Sequence, residues 1–313
     1  MNKRLKSNIM LLLAALIWGV AFVAQKSGME FVGPYTFNCV RCFIGSLVLI
    51  PVIKLFDKPT EADLAKTQEQ KKADRKVLAL GGLCCGLALF GGTTFQQIGL
   101  LTADAGKAGF ITALYIVLVP VVSLFFKKKS RPAIWIGVVL GAIGLYLLCV
   151  PAGGSFSSIN KGDILLFCCA IAFTAHILVI DYFSPKTSGV KLSCIQFAVC
   201  GVLSAIPMFI LEDPQMSAIL DCWLPILYTG VLSSGAGYTL QIVGQKNTDP
   251  TVASLILSLE SVFALLAGIV VLNEILTLSE ALGCLIMFTA IIITQLPERK
   301  VKACGRLQQR KKG

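Results

Sequence analysis

Apolar residues along this chain fall into ten long blocks, at 8–25, 35–56, 77–100, 104–126, 132–150, 162–183, 191–211, 222–243, 250–272 and 278–296. Each approaches the roughly 20 predominantly apolar residues that a helix needs to cross a bilayer. Turn formers and charges fill the breaks: Gly33-Pro34, Asp57 to Lys76, Lys127 to Arg131, Pro151-Ala152-Gly153-Gly154, Ser184-Pro185-Lys186, Glu212-Asp213-Pro214, and Asn247 to Pro250. The first block follows Lys3, Arg4 and Lys6 and has the look of a signal peptide's apolar region. Ten spans are more economical than a signal followed by nine. The pattern predicts an all-α membrane protein of ten transmembrane helices.

Composition agrees. Apolar residues make up 56% of the 313 positions, charged residues 14%, and mean hydropathy is +0.79. Soluble domains are about 45–50% apolar and about 25% charged, so a soluble enzyme, a disordered chain or a secreted disulfide scaffold is a poor fit. The net charge of +11 raises nucleic-acid binding, but its placement argues against that partner. With the N-terminus inside, twenty-four Lys and Arg fall in cytoplasmic segments and three (Lys26, Lys107, Lys161) on the other side. Arg41 lies within a span. This positive-inside bias places both termini in the cytoplasm.

The halves resemble one another. At an offset of 155, Ala15-Leu16-Ile17-Trp18-Gly19 aligns with Ala170-Ile171-Ala172-Phe173-Thr174. At an offset of 145, the run from Gly92 to Gly99 aligns with that from Gly237 to Gly244, pairing Thr94 with Thr239, Gln96 with Gln241, and, further on, Tyr115 with Glu260. Near the end the offset is 146, where Gly137 meets Gly283. The shift of ten falls where the loop after the second block is longer, and loops are where insertions belong. The expected organisation is a cytoplasmic N-terminus (1–7), a first five-helix repeat (8–150), a connecting loop (151–161), a second repeat (162–296) and a basic cytoplasmic tail (297–313). Five is odd, so the second repeat would enter the membrane inverted, a design recurrent among secondary transporters with a site near the midplane.

Polar residues inside the spans carry the candidate chemistry. Glu260 lies about ten residues, or about 15 Å, into the ninth block, near the bilayer centre. An acid there is expensive and should face protein or water. It reads either as a proton site or counter-charge for a substrate amine, or as a carboxyl hydrogen-bonded to a neighbouring helix. Arg41 sits about 9 Å below the outer end of the second span, where snorkelling, pairing and substrate binding are all open. His176 suits a proton relay, and equally a buried hydrogen bond. Trp18, Tyr115 and Ser258 are candidate cavity residues. Thr94, Gln96, Thr239 and Gln241 divide between cavity and helix contact, because residues two apart on a helix do not share a face.

Twelve cysteines raise metal or redox chemistry. Most lie in apolar runs, where Cys behaves as a small hydrophobe, and neither the Cys39–Cys42 spacing nor the lone histidine makes a zinc or thioredoxin-like site. No metal or other cofactor is expected. Gly137-x-x-x-Gly141 and Ala264-x-x-x-Gly268 offer small-residue faces for helix packing or a homodimer. Pro120 and Pro207 are positioned to kink the fourth and seventh spans.

Together these residues resemble the EamA branch of the drug/metabolite transporter superfamily. The resemblance rests on Ala15-Leu16-Ile17-Trp18-Gly19, Arg41, Ala108-Gly109-Phe110-Ile111 running to Pro120, Leu257-Ser258-Leu259-Glu260, and Asn273-Glu274 followed by Gly283. It covers residues 8 to 296. In two places the chain departs from the pattern: Ser261 follows Glu260 where the family often has Pro, and Gln196 stands opposite Arg41. The resemblance implies an inner-membrane secondary transporter, often an exporter of amino acids or related metabolites, with a substrate site among spans 1, 3, 4, 6, 8 and 9. The expected partners are a small-molecule substrate, the lipid bilayer and, as a candidate coupling ion, the proton. A channel, a structural bundle and a lipid-processing membrane enzyme are the rival readings.

Overall fold

A computed structural model describes residues 3–57, 61–102, 105–126, 131–149, 160–272 and 277–295. The loop residues Lys127–Ser130 and Pro151–Gly154, the Asn273-Glu274 pair and the tail 297–313 lie outside the described residues. What is described is helix joined by turns, with no strand among the described residues.

The first two apolar blocks form α1 (Lys3–Gly28) and α2 (Pro34–Phe56). A single turn, α3 (Glu61–Leu64), precedes α4 (Gln68–Leu100), whose start in the polar loop carries a Thr67/Gln70 capping box. The fourth block is broken into α5 (Ala105–Thr112) and α6 (Tyr115–Phe125). Helices α7 (Pro132–Cys149), α8 (Lys161–Phe183) and α9 (Gly189–Leu211) follow. After the short α10 (Met216–Asp221), the eighth block comprises α11 (Trp223–Leu227), a π-helical segment (Tyr228–Tyr238) and α12 (Thr239–Gln245). The ninth is broken like the fourth, into α13 (Pro250–Leu257) and α14 (Glu260–Leu272), and α15 (Leu278–Gln295) is last. Pro34 and Pro250 each open a helix, where a missing N–H costs nothing. Pro120 and Pro207 lie within α6 and α9.

Eight helical stretches among the described residues are long and apolar enough to cross a membrane. Large apolar side chains cover the outside: Leu47, Phe209 and Leu285 are 62%, 72% and 63% exposed. Such a surface would be a liability in water and suits lipid. The molecule is a multi-pass helical membrane protein.

Helix α2 packs along α9, α4 along α8 and α9, and α7 along α15, while α1 crosses α12, α14 and the π segment. The α2–α9 pair is tied at both ends. Glu212, just past α9, accepts from the Tyr35 and Thr36 amides (2.9 and 2.8 Å) and from the Thr36 hydroxyl (2.6 Å) at the start of α2. At the other end Lys191 pairs with Asp57 at 2.9 Å. Between them Cys42 donates to Cys200 (Sγ···Sγ 3.5 Å) and the Ser46 hydroxyl donates to the Cys194 carbonyl at 3.1 Å. Cys39 does not join Cys42 in a two-thiol motif; both are free.

The α7–α15 pair is likewise antiparallel. Arg131 donates to the Thr294 carbonyl (3.3 Å) and Ser279 to that of Leu147 (2.9 Å). Its backbones touch at Gly144 and Gly283, where a Cβ on Gly283 would lie 2.7 Å from the Gly144 carbonyl oxygen. Gly137 and Gly141 pack against Thr294 of α15 and Leu255 of α13, so this small-residue face is occupied within the chain. Ala264 meets Gly19 of α1 in the same way. Gly283→Ala is expected to lower stability by about 1–3 kcal/mol through overpacking. Gly91→Ala, where the nearest atom is 3.7 Å away, should leave the thermal midpoint of the purified protein unchanged.

Candidate functional site

Where α5 gives way to α6, and α13 to α14, the backbone tightens instead of unwinding. Amides at Ile116 and Val117, and at Leu259 and Ser261, bond three residues back at 2.9–3.2 Å, the 3₁₀ pattern that often marks a functional break in a helix. Tyr115 is the first residue after one break and Glu260 the first after the other. Both are buried, and the Tyr115 hydroxyl donates to Glu260 Oε1 at 3.0 Å. Gly19 lets α1 come close behind this pair, since a Cβ there would lie 2.8 Å from the Glu260 carbonyl oxygen.

The pair borders a central, partly open cavity whose atom-free space, open solvent included, is about 530 Å³. Trp18, Phe22 and Gln25 line it from α1, Arg41 from α2, and Gln96 from α4. Phe173, His176 and Ile177 come from α8, Ser233 and Tyr238 from the π segment, Gln241 from α12, and Leu257 from α13. The lining thus draws on blocks 1, 3, 4, 6, 8 and 9 and, through Arg41, on block 2.

Arg41 is 3% exposed. Its Nε donates to Asn38 Oδ1 (3.0 Å), one terminal nitrogen donates to Gln25 Oε1 (3.2 Å), and the guanidinium stands 5.7 Å from the Phe37 ring centroid. Among the described residues no carboxylate pairs with it. Snorkelling is thereby set aside, for the side chain turns inward. His176 Nε2 lies 3.0 Å from Gln196 Oε1. Tyr238 stacks among Trp18, His176 and Phe197, with centroids 4.5, 5.8 and 5.5 Å away. The Trp18 indole donates to the Ser233 carbonyl at 3.3 Å.

Of the candidate residues, Glu260, Trp18, Tyr115, Gln96, Gln241, His176 and Arg41 come together on the cavity, whereas Thr94, Thr239 and Ser258 lie off it. Thr239 donates to the Gly235 carbonyl (2.6 Å) and lies 2.8 Å from the Ser193 hydroxyl, and Ser258 donates to the Leu255 carbonyl (2.9 Å). Thr94 is buried two residues from Gln96, about 200° around the helix. The lining residues beyond the sequence candidates are Phe22, Gln25, Phe173, Ile177, Ser233, Tyr238 and Leu257. Among the described residues no group of three or more His, Cys, Asp or Glu gathers as metal ligands.

Fold and cavity together define a multi-pass helical membrane protein with a polar chamber at its centre. The chain belongs to the EamA-like transporter family, whose pattern matches residues 5–150 and again 160–296. It is 34% identical over 295 residues to an uncharacterized transporter of Archaeoglobus fulgidus, covering 94% of this chain and 87% of that one. It is 27% identical over 301 residues to the threonine/homoserine exporter RhtA of Escherichia coli K12, covering 94% and 93%. A crystal structure superposes with a TM-score of 0.74 at 19% identity, over 95% of this chain and 99% of that chain, a likeness of fold. The family and relatives are named as transporters, not enzymes.

Tyr115→Phe removes the partner of a buried carboxyl and is expected to cost about 1.5–3 kcal/mol. In a Glu260→Leu background the same change should be nearly neutral, a non-additivity measurable by a double-mutant cycle on thermal unfolding in detergent.

Proposed function

We propose that the protein is a secondary transporter that exports a small metabolite, such as an amino acid, across the inner membrane by alternating access. Ten spans form two inverted five-helix repeats, at 8–150 and 162–296, joined by a loop at 151–161. The N-terminal residues 1–7 and the basic tail 297–313 face the cytoplasm, as does the Lys191–Asp57 end of the α2–α9 pair.

The observation that carries this reading is the meeting of Tyr115 with Glu260 at the cavity. They are counterparts under the 145-residue offset, and counterparts in a two-fold arrangement touch only near the axis. Three more counterpart pairs line the same space: Trp18 with Phe173, Phe22 with Ile177, and Gln96 with Gln241. Inversion has separate support, because α2 runs antiparallel to its counterpart α9 and α7 to its counterpart α15. A binding chamber on the axis between two similar halves can open to either face as they rock. The sparse polar residues do not form the rings along a continuous face that a channel uses. RhtA, named as a threonine/homoserine exporter, supports the direction and the size of cargo. Glu260 carries a coupling proton or holds a substrate amine, and its side chain is central to either.

The protein reconstituted in liposomes is tested by counterflow with amino acids, simple amines, carboxylic acids and nucleosides. The wild type should accumulate at least one labelled compound, and Glu260→Gln should slow that flux by about ten-fold or more, about 1.4 kcal/mol or more of lost stabilisation. Conductance without counterflow would favour a channel. Undiminished transport by Glu260→Gln would remove the role given to this residue.

A further inference from the structure

Arg41 and Glu260 border one cavity, yet among the described residues neither has an oppositely charged partner. Two opposite charges in a space of low dielectric would gain by pairing, and each is costly alone. Different supports hold them apart. Arg41 is on α2, fastened along α9, and its guanidinium is fixed by Asn38 one turn earlier and by Gln25 of α1. Glu260 stands at the helix break, with one oxygen engaged by Tyr115.

Both groups have capacity left over. An arginine carries five N–H donors, of which two are taken here. Among the described residues Glu260 Oε2 has no hydrogen bond, and the amide oxygen of Gln241, which also lines the cavity, is buried without a partner. The chamber thus presents spare N–H donors beside a fixed positive charge in one place, and spare acceptors beside an acid in another. Trp18, Phe22, Phe173, Tyr238, Ile177 and Leu257 supply an aromatic and aliphatic surface on the same wall.

We propose that Arg41 and Glu260 are the two ends of one substrate site, Arg41 taking a carboxylate and Glu260 with Gln241 taking an ammonium group. The transported molecule is a zwitterion with an apolar body, and the site discriminates against amines lacking the acid and acids lacking the amine. This rests on the transporter reading of the same cavity and assigns Glu260 to the substrate amine. A purely structural Arg41 would favour no ligand group over another.

The test uses the purified full-length protein in lipid nanodiscs and reads ligand affinity from thermal stabilisation. The twenty proteinogenic amino acids are screened first. The best binder is then compared with its carboxamide, which lacks the carboxylate, and with its N-acetyl derivative, which lacks the ammonium. Losing a buried charge partner should weaken each analogue by at least roughly ten-fold. In Arg41→Gln the preference for the acid over the carboxamide should collapse while the preference over the N-acetyl compound persists. Glu260→Gln should show the reverse, and Arg41→Lys should keep part of the first preference. Ratios within one variant remain readable when that variant is less stable, and the wild-type analogue series decides alone if a variant does not fold. The proposal is overturned if either analogue binds the wild type as well as the parent, or if both preferences fall together in both variants. It is also overturned if no amino acid stabilises the protein at about 10 mM, a concentration that saturates sites of millimolar affinity or tighter. Counterflow of a nucleoside or simple amine by the wild type, with no amino acid moved, would overturn it while leaving the transporter reading standing.

Discussion

Hydrocarbon offers no water to a peptide group, so every amide and carbonyl crossing a bilayer needs a partner within the protein. That constraint makes long helices the default wherever this chain meets lipid, and it confines irregular backbone to the interior. The two tightened turns fall at Ala113 and Leu259, 0% and 1% exposed, and the amides of Ile116, Val117, Leu259 and Ser261 bond to the third preceding carbonyl instead of the fourth. The π-helical segment, which carries Gly230, Gly235 and Gly237, is wrapped by α1 and α2. These three departures from α-helical winding carry Tyr115, Glu260, Ser233 and Tyr238 of the cavity lining. Tyr115 and Glu260 follow the tight turns, and Tyr238 ends the wide one. A straight helix repeats its face every 3.6 residues, and such local changes of winding re-aim a side chain without exposing backbone.

Against this irregular lining stands a stiffer frame. Helices α2 and α9 are joined by a carboxylate at one end, an ion pair at the other and sulfur and hydroxyl contacts between. Helices α7 and α15 are joined at both ends and touch backbone to backbone at Gly144 and Gly283. Among the described residues, helices α7, α9 and α15 contribute nothing to the cavity, and α2 contributes Arg41 alone. On the transporter reading, the frame holds the halves in register while the six remaining blocks rearrange around the ligand. The frame also carries Arg41, the positive charge that borders the cavity.

The sequence made the helices legible because lipid demands long apolar blocks, a coarse signal that needs no side-chain geometry. Glu260 and Arg41 were legible for the same reason, as charges where charge is expensive. Gln96 and Gln241 turn to the cavity and Thr94 and Thr239 do not, a division that follows from two residues being slightly more than a half-turn apart. What stayed hidden was apolar. Phe22, Ile177 and Leu257 line the chamber with residues typical of any span, so nothing marks them singly. Pairing did carry a signal, since the 155-residue offset that joins Trp18 to Phe173 also joins Phe22 to Ile177. Gln25 follows Trp18 and Phe22 at helical spacing, a polar residue on a cavity face that spacing alone could have revealed. The tight turns and the π segment had no sequence signature, so Ser258, seemingly beside Glu260, is turned back to its own helix.

The two halves differ in charge at corresponding places near the cavity: Tyr115 stands opposite Glu260, and Arg41 opposite Gln196. Arg41 of α2 reaches Gln25 of α1, and its counterpart Gln196 of α9 reaches His176 of α8. A contact from second helix to first recurs in each half, through partners that are not counterparts, while the full positive charge appears once. A chain with identical inverted halves would have equal free energies in its two open states, apart from differences between the membrane's faces. Confining the guanidinium to one half removes that equivalence, because the cation meets a different dielectric surrounding when the chamber opens towards it than when it opens away. A ligand carboxylate that offsets this difference binds the two states unequally, and a ligand shifts a conformational balance only by such a difference. On the proposed reading, the unpaired arginine would tie substrate recognition to the preference between states, a coupling that a symmetric pair of glutamines would not supply.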